Sequence, residues 1–175
     1  MLIGLVSPTR TINYELLRYA ARQAPALVVD CANAADPHRL YPEFPHETLG
    51  QIYVIELELL YKFRDILKNA PRYAARVRAR TVVVTTCDYL FHYQDPEENR
   101  DIHHHCWELM RGLGQTYDVR VGILAHSEHL EFAQKYCDRV ESQIINPNLR
   151  IFETSPNHRM TESRKPRFDQ LEIRN

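Results

Sequence analysis

Residues 4–11 read GLVSPTRT. A phosphate-binding loop reads G-x-x-x-x-G-K-[ST] and sits between a strand and a helix, where backbone N–H groups and the helix's positive end face the anion. Gly4 and Thr11 hold the first and last positions of that pattern, while Thr9 replaces the second glycine and Arg10 the lysine. The flanks have the required character. MLIGLV, residues 1–6, is a short apolar run that reads as a buried strand, and INYELLRYAARQ, residues 12–23, carries Ile12, Leu16, Tyr19 and Ala20 at helical spacing. Gly4, Thr9, Arg10 and Thr11 are therefore the candidate residues for a bound nucleotide.

Working outward, ALVVD (residues 26–30) reads as a second buried strand ending on Asp30. GQIYVIELELLYKFRDILKN, residues 50–69, reads as one long helix with two apolar stripes, so it is either deeply buried or turned toward a partner. PRYAARVRAR, residues 71–80, leads into a third strand with Val82–Val84 at its centre. The acidic residues 94–101 open a helix that includes DIHHHCWELMRGL and that Gly112 and Gly114 are expected to stop. VRVGILA (residues 119–125) is a fourth strand, and Ser127 stands where it would cap a helix over 128–140. The tail suggests two more strands, LRIFE and FDQLEI. Strands alternating with helices predict one α/β domain over 1–175, with a mainly parallel central sheet and antiparallel strands at the C-terminus.

Bulk properties narrow the class. The 175 residues carry a net charge of −1 and 44% hydrophobic residues. No whole-molecule field attracts nucleic acid or membrane, so any such binding needs a local patch. No run approaches the ~20 apolar residues of a membrane span. The four cysteines, at 31, 87, 106 and 137, are widely spaced and no leader precedes them. This reads as a cytoplasmic protein with free thiols.

Three stretches extend the likeness of the opening motif to a family. VVDCANAADPHRL, residues 28–40, resembles the segment of archaeal RadA-type recombinases that reads roughly I-D-T-E-G-T-F-R-P-E-R-I, with Asp30, Pro37, Arg39 and Leu40 in register. VVVTTCDYLF, residues 82–91, resembles their apolar strand ending in Asp-Ser, and CDRVES, residues 137–142, their Ala-Asp-x-Val segment. The chain thus resembles the RecA/RadA-like ATPase core, a three-layer P-loop NTPase-type domain.

The departures share a direction. Thr9 brings a Cβ to a close backbone approach, and Pro8 removes an N–H donor. The glutamate that activates water in these recombinases aligns with Ala32, and the acidic metal-site residue of the third strand with Thr85. The resemblance therefore implies a noncatalytic paralogue with no cofactor, acting through protein contacts as an accessory or regulator of recombination and DNA repair. Its partner would be a RecA-family protein or a second copy. The N-terminal helical domain and the long DNA-contacting loop of these recombinases have no counterpart in the chain. A divergent nucleotide-binding protein using Arg10 and Thr11 is the alternative enzyme-type reading.

Two further patterns stand apart from the resemblance. The run from Lys62 to Arg80 holds seven Lys/Arg against Asp65 alone, which makes Arg72, Arg76, Arg78 and Arg80 candidates for contacting DNA phosphates in an accessory module. His103, His104 and His105 point about 100° apart on a helix and cannot share one ion. His126 and His129, at i and i+3, are placed to pair, and Cys87 or Cys106 to meet a histidine. Solvated histidines and small buried thiols are the plain expectation there, with no metal site.

Overall fold

The structure is a computed structural model, and it describes residues 1–91 and 95–142. Six strands form one sheet: β1 (Leu2–Ser7), β2 (Ala26–Cys31), β3 (Ile52–Leu57), β4 (Thr81–Val84), β5 (Asp118–Leu124) and β6 (Arg139–Ser142). Their order is β3-β2-β4-β5-β1-β6, and every pairing is parallel. Parallel neighbours need crossovers, and the helices supply them: α1 (Thr11–Arg22), α2 (His46–Leu49), α3 (Leu60–Val77), α4 (Pro96–Gly114) and α5 (His129–Tyr136).

Strand period places alternate residues on opposite faces. Ile3, Leu5, Ala26, Val28 and Val83 pack against Ile12, Leu16, Leu17 and Ala20 of α1. Leu2, Val6, Leu27, Val29, Val82, Val84, Val119 and Val121 pack against Phe63, Leu67, Trp107 and Met110 of α3 and α4 and Ala133 of α5. The result is a three-layer α/β domain. Connections running toward the β3 edge lie on the α1 face, and those running toward the β6 edge lie on the other. That division follows from right-handed crossovers. Among the described residues, no helix is long and apolar enough to cross a membrane.

The expected helix over 50–69 is two elements. Residues 52–57 are strand β3, and the helix α3 begins at Leu60. The β-branched and aromatic side chains of Ile52, Tyr53, Val54 and Ile55 suit a strand, and β2 offers them an open ladder. The two-stripe pattern came from reading one period across a strand and a helix. α3 also runs through Pro71 to Val77 and ends on Arg78 in the left-handed region, φ 57°, where Ala79 N–H donates to Ala74 O at 2.9 Å.

The helix expected over 128–140 stops at Tyr136, and residues 139–142 join the sheet as β6. α4 passes through Gly112 and ends at Gly114, where the sequence placed its stop, but not on a left-handed glycine: no glycine among the described residues has positive φ. Gly114 is small for another reason: a Cβ there would lie 2.9 Å from Leu2 N. The described sheet contains no antiparallel strand, and the tail segments 149–153 and 168–173 lie outside the described residues.

Candidate functional site at the carboxyl end of the sheet

In an open parallel sheet, ligands bind beyond the carboxyl ends of strands whose chains leave toward opposite faces. Here β2 and β4 are such neighbours, as are β1 and β5. Thr9, Arg10 and Thr11 of the candidate residues come to this end.

The turn after β1 is short. β1 runs to Ser7 and α1 starts at Thr11, which leaves only Pro8, Thr9 and Arg10 between them. Thr9 N–H donates to Ser7 Oγ at 3.3 Å, and Asn13 N–H to Arg10 O at 3.0 Å. The hydroxyls of Thr9 and Thr11 meet at 2.7 Å. The Arg10 guanidinium lies 3.7 Å from the centre of the Tyr89 ring, a cation–π contact across the mouth of the crevice. Gly4 stands apart from the other three candidates, inside β1, paired with Val121 on one side and Val140 on the other. A Cβ at Gly4 would lie 2.7 Å from Ile123 Cδ1 and 3.2 Å from Cys137 Sγ, so packing of the sheet accounts for its small size.

Behind the turn, the crevice between β2 and β4 is filled by internal hydrogen bonds. Asn13, 2% exposed, donates from Nδ2 to Thr86 Oγ1 at 3.0 Å and accepts from Thr86 N–H at 2.9 Å. Gly122 makes this clamp fit: a Cβ there would stand 3.2 Å from Thr86 Cγ2 and 3.3 Å from Asn13 Oδ1. Asp30 Oδ1 accepts from Ala34 N–H and Ala35 N–H, both at 2.9 Å, and from the Thr85 hydroxyl at 3.2 Å. Thr85 Oγ1 in turn accepts from Cys31 N–H at 2.7 Å. Burial raises the Asp30 carboxyl above its ordinary range, and these donors oppose the rise. Ala32 and Asn33 take left-handed φ of 57° and 51°, held by the Asp30 acceptors and by Ala32 N–H donating to Leu57 O at 2.8 Å. Ala32 and Thr85 thus both take part in shaping this loop. Both carboxylate oxygens of nearby Asp88 are enclosed and have no hydrogen-bond partner.

One cluster was missed by sequence reasoning. His126 is exposed, and the partner of His129 is His103, whose Nε2 lies 2.7 Å from His129 Nδ1. Cys87 Sγ lies 3.5 Å from the same nitrogen. Phe91 and Phe132 pack on the His103 ring, at centroid distances of 4.4 and 3.9 Å. Burial pushes His103 down to about 2, assisted by the charges of His129 and His104, and pushes His129 down to about 3. Both rings are neutral imidazoles, one donating to the other. Burial also raises the Cys87 thiol well above its ordinary value, and Cys106 to about 12, which leaves neither as a thiolate nucleophile. Nothing local signals the meeting, because His103 and His129 lie 26 residues apart on different helices. Among the described residues, no group of three or more His, Cys, Asp or Glu is arranged to hold a metal ion.

Two surfaces complete the inventory. Arg72, Arg76, Arg78 and Arg80 are all exposed, at the opposite end of the sheet from the crevice. Among the described residues β3 is an edge strand, with Tyr53 42% and Val54 36% exposed. Beside it lies a groove of about 290 Å³ lined by Pro37, Tyr41, His46, Leu49, Ile52 and Val54.

No protein-family model matches the chain, and no curated protein matches it in sequence. In structure it is similar to the crystal structure of the RadB recombinase, with a TM-score of 0.58 at 12% identity, over 81% of this chain and 73% of that one. The likeness is one of fold, and the chain has a RecA-like α/β domain.

Proposed function

We propose that this RecA-like domain serves recombination or DNA repair as an accessory protein that docks on a protein partner and does not hydrolyse nucleotide. The observation that carries the reading is the β3 edge. An edge strand presents a row of unpaired N–H and C=O groups and invites a further strand. β3 carries exposed Tyr53 and Val54, with an apolar groove alongside, which is the arrangement that β-strand addition uses: main-chain bonds for affinity and side-chain pockets for specificity. The spent hydrogen bonds of Asp30, Thr85 and Asn13 support the absence of hydrolysis: Asp30 Oδ1 is committed to Ala34, Ala35 and Thr85, and the unpartnered Asp88 carboxylate is enclosed. The similarity to the RadB recombinase supports a RecA-family protein as the partner, with a second copy of the chain as the competing occupant.

The test is a binding titration with a purified RecA-family recombinase, using the intact chain and Tyr53→Lys with Val54→Lys. Lysines on an edge strand block strand addition. The reading expects at least a tenfold loss of affinity in the double variant; equal affinity overturns it. A parallel melt with millimolar Mg-ATP addresses the rival. A ligand present at ~100 times its dissociation constant adds about 2.7 kcal/mol to the folded state. A rise of that size, lost in Arg10→Ala, would place nucleotide at the turn 8–10 and favour a divergent nucleotide-binding protein.

A further inference from the structure

The amino end of the sheet, opposite the crevice, gathers positive charge from several elements. Arg72 and Arg76 are one helical turn apart on α3, both exposed. Arg78 is the left-handed cap of that helix, and Arg80 leads into β4 with its carbonyl accepting from Asp118 N–H at 3.0 Å. α4 runs alongside α3 in the same direction and brings exposed Arg111 to the same end, in its last turn. Tyr117 joins the elements by donating its hydroxyl to Pro71 O at 3.2 Å. Among the described residues none of these five arginines makes an ion pair. Two acids at this end are engaged elsewhere: Asp118 takes the Tyr19 hydroxyl and lies 3.6 Å from Arg120, and Asp138 accepts from Leu2 N–H; exposed Glu108 stands one turn before Arg111 on α4.

Helix-dipole compensation explains a cation in the last turn of a helix and no farther. Arg76 and Arg111 meet that description; Arg72 lies before the last turn of α3, and Arg78 and Arg80 lie beyond its end. Arg72, Arg78 and Arg80 are left without that role, and together with Arg76 and Arg111 they form a local concentration of charge on a chain of net charge −1. Planar guanidinium forks match phosphate oxygens bidentately. Half-buried Tyr73, with the Arg72 guanidinium 5.9 Å from its ring centre, adds an aromatic face among them.

We propose that this end of the sheet is a docking surface for the phosphate backbone of a nucleic-acid strand, read by Arg72, Arg76, Arg78, Arg80 and Arg111. It is separate from the β3 edge and does not rest on the protein-docking reading. Recognition is through charge, so the affinity is independent of base sequence and falls with salt.

The experiment is fluorescence anisotropy of the full chain with dye-labelled single-stranded oligonucleotides of two unrelated sequences, across a salt series. With about four phosphates neutralised, the single-strand slope of log K against log salt is about −3, a roughly 50-fold loss between 50 and 200 mM. Replacing Arg72, Arg76, Arg78 and Arg80 together by Gln should flatten the slope toward zero and weaken low-salt binding at least tenfold. A charge-matched control at the carboxyl end of the sheet, Gln at Arg39, Lys62, Arg64 and Arg100, should bind within about twofold of the parent, and Lys at the four arginine positions should retain most of the slope. Circular dichroism melts establish that each variant is folded. Should Gln at the four positions prevent folding, neutralising Arg78 and Arg80 alone should halve the slope. Absence of binding at low salt, a flat salt dependence, or equal losses in the charge-matched control overturns the proposal. So does low-salt self-association that the four substitutions abolish without any nucleic-acid binding, which would assign the surface to a second copy.

Discussion

Lowering the pH tests the buried histidine pair directly. His103 and His129 are each 5% exposed, and burial lowers them to about 2 and about 3. In the unfolded chain both titrate near 6.5. The folded state therefore resists protonation that the unfolded state accepts. The stability this confers is complete above about pH 7.5 and is lost as pH falls through 6.5 toward 3. Each group contributes a slope approaching 1.36 kcal/mol per pH unit once its unfolded form is charged. Integrated from pH 7.5 to 5.5, the loss is about 1.4 kcal/mol per histidine, or about 3 kcal/mol for the pair. For a domain of this size that corresponds to a fall of roughly 6–12 °C in Tm. The assay is a series of urea midpoints and thermal melts over that range, compared with His103→Phe, His129→Leu. The double variant fills the pocket between Phe91 and Phe132 with apolar groups and removes both titrations. It should lose most of the pH dependence. A double variant that keeps the parent's slope would refute the reasoning, because the sensitivity would then lie in other groups.

Four further substitutions test the packing and the buried polar groups. Gly112 has nothing within 4 Å of an added Cβ, so Gly112→Ala in α4 should stabilise by about 1 kcal/mol; Gly114→Ala, whose Cβ would meet Leu2 N at 2.9 Å, should cost roughly 1–3 kcal/mol. Urea midpoints separate the two, and equal effects would contradict the close approach of α4 to β1. Asn13→Ala strips the buried Thr86 N–H of its acceptor and should cost about 1–3 kcal/mol in the same assay. Asp88→Asn should leave Tm unchanged or raise it at neutral pH, since the native carboxylate oxygens have no partner; a clear fall would mean the charge is used.

Much of the fold is legible along the chain. Leu2–Ser7, Ala26–Cys31 and Thr81–Val84 are short, largely apolar runs of the kind a strand buried on both faces carries, and α1 lies within a residue of its expected bounds. The misreadings fall where local pattern is ambiguous. IYVIEL alternates poorly and joins directly onto the helical period of α3, so its strand character emerges only when β2 is there to pair with it. RVES becomes β6 for the same reason, by pairing with Ile3–Val6. The site divides similarly. Arg10 and the threonines beside it stand out as a motif. The pairing of His103 with His129 and the clamp of Asn13 on Thr86, 73 residues away, carry no local mark.

What the sequence by itself determined is the class of element at each strongly periodic stretch, and with it an α/β domain with a mainly parallel sheet. Those properties are local, set by backbone propensity and by side chains within a few residues. Only the tertiary structure decided that the sheet is ordered β3-β2-β4-β5-β1-β6, that Gly4 belongs to its packing, and that Asp30, Thr85, Asn13 and Thr86 bond to one another across the crevice. Those properties are non-local. A hydroxyl or carboxylate buried at the end of a strand must find a partner, and which one it finds depends on the chain the crossovers bring beside it.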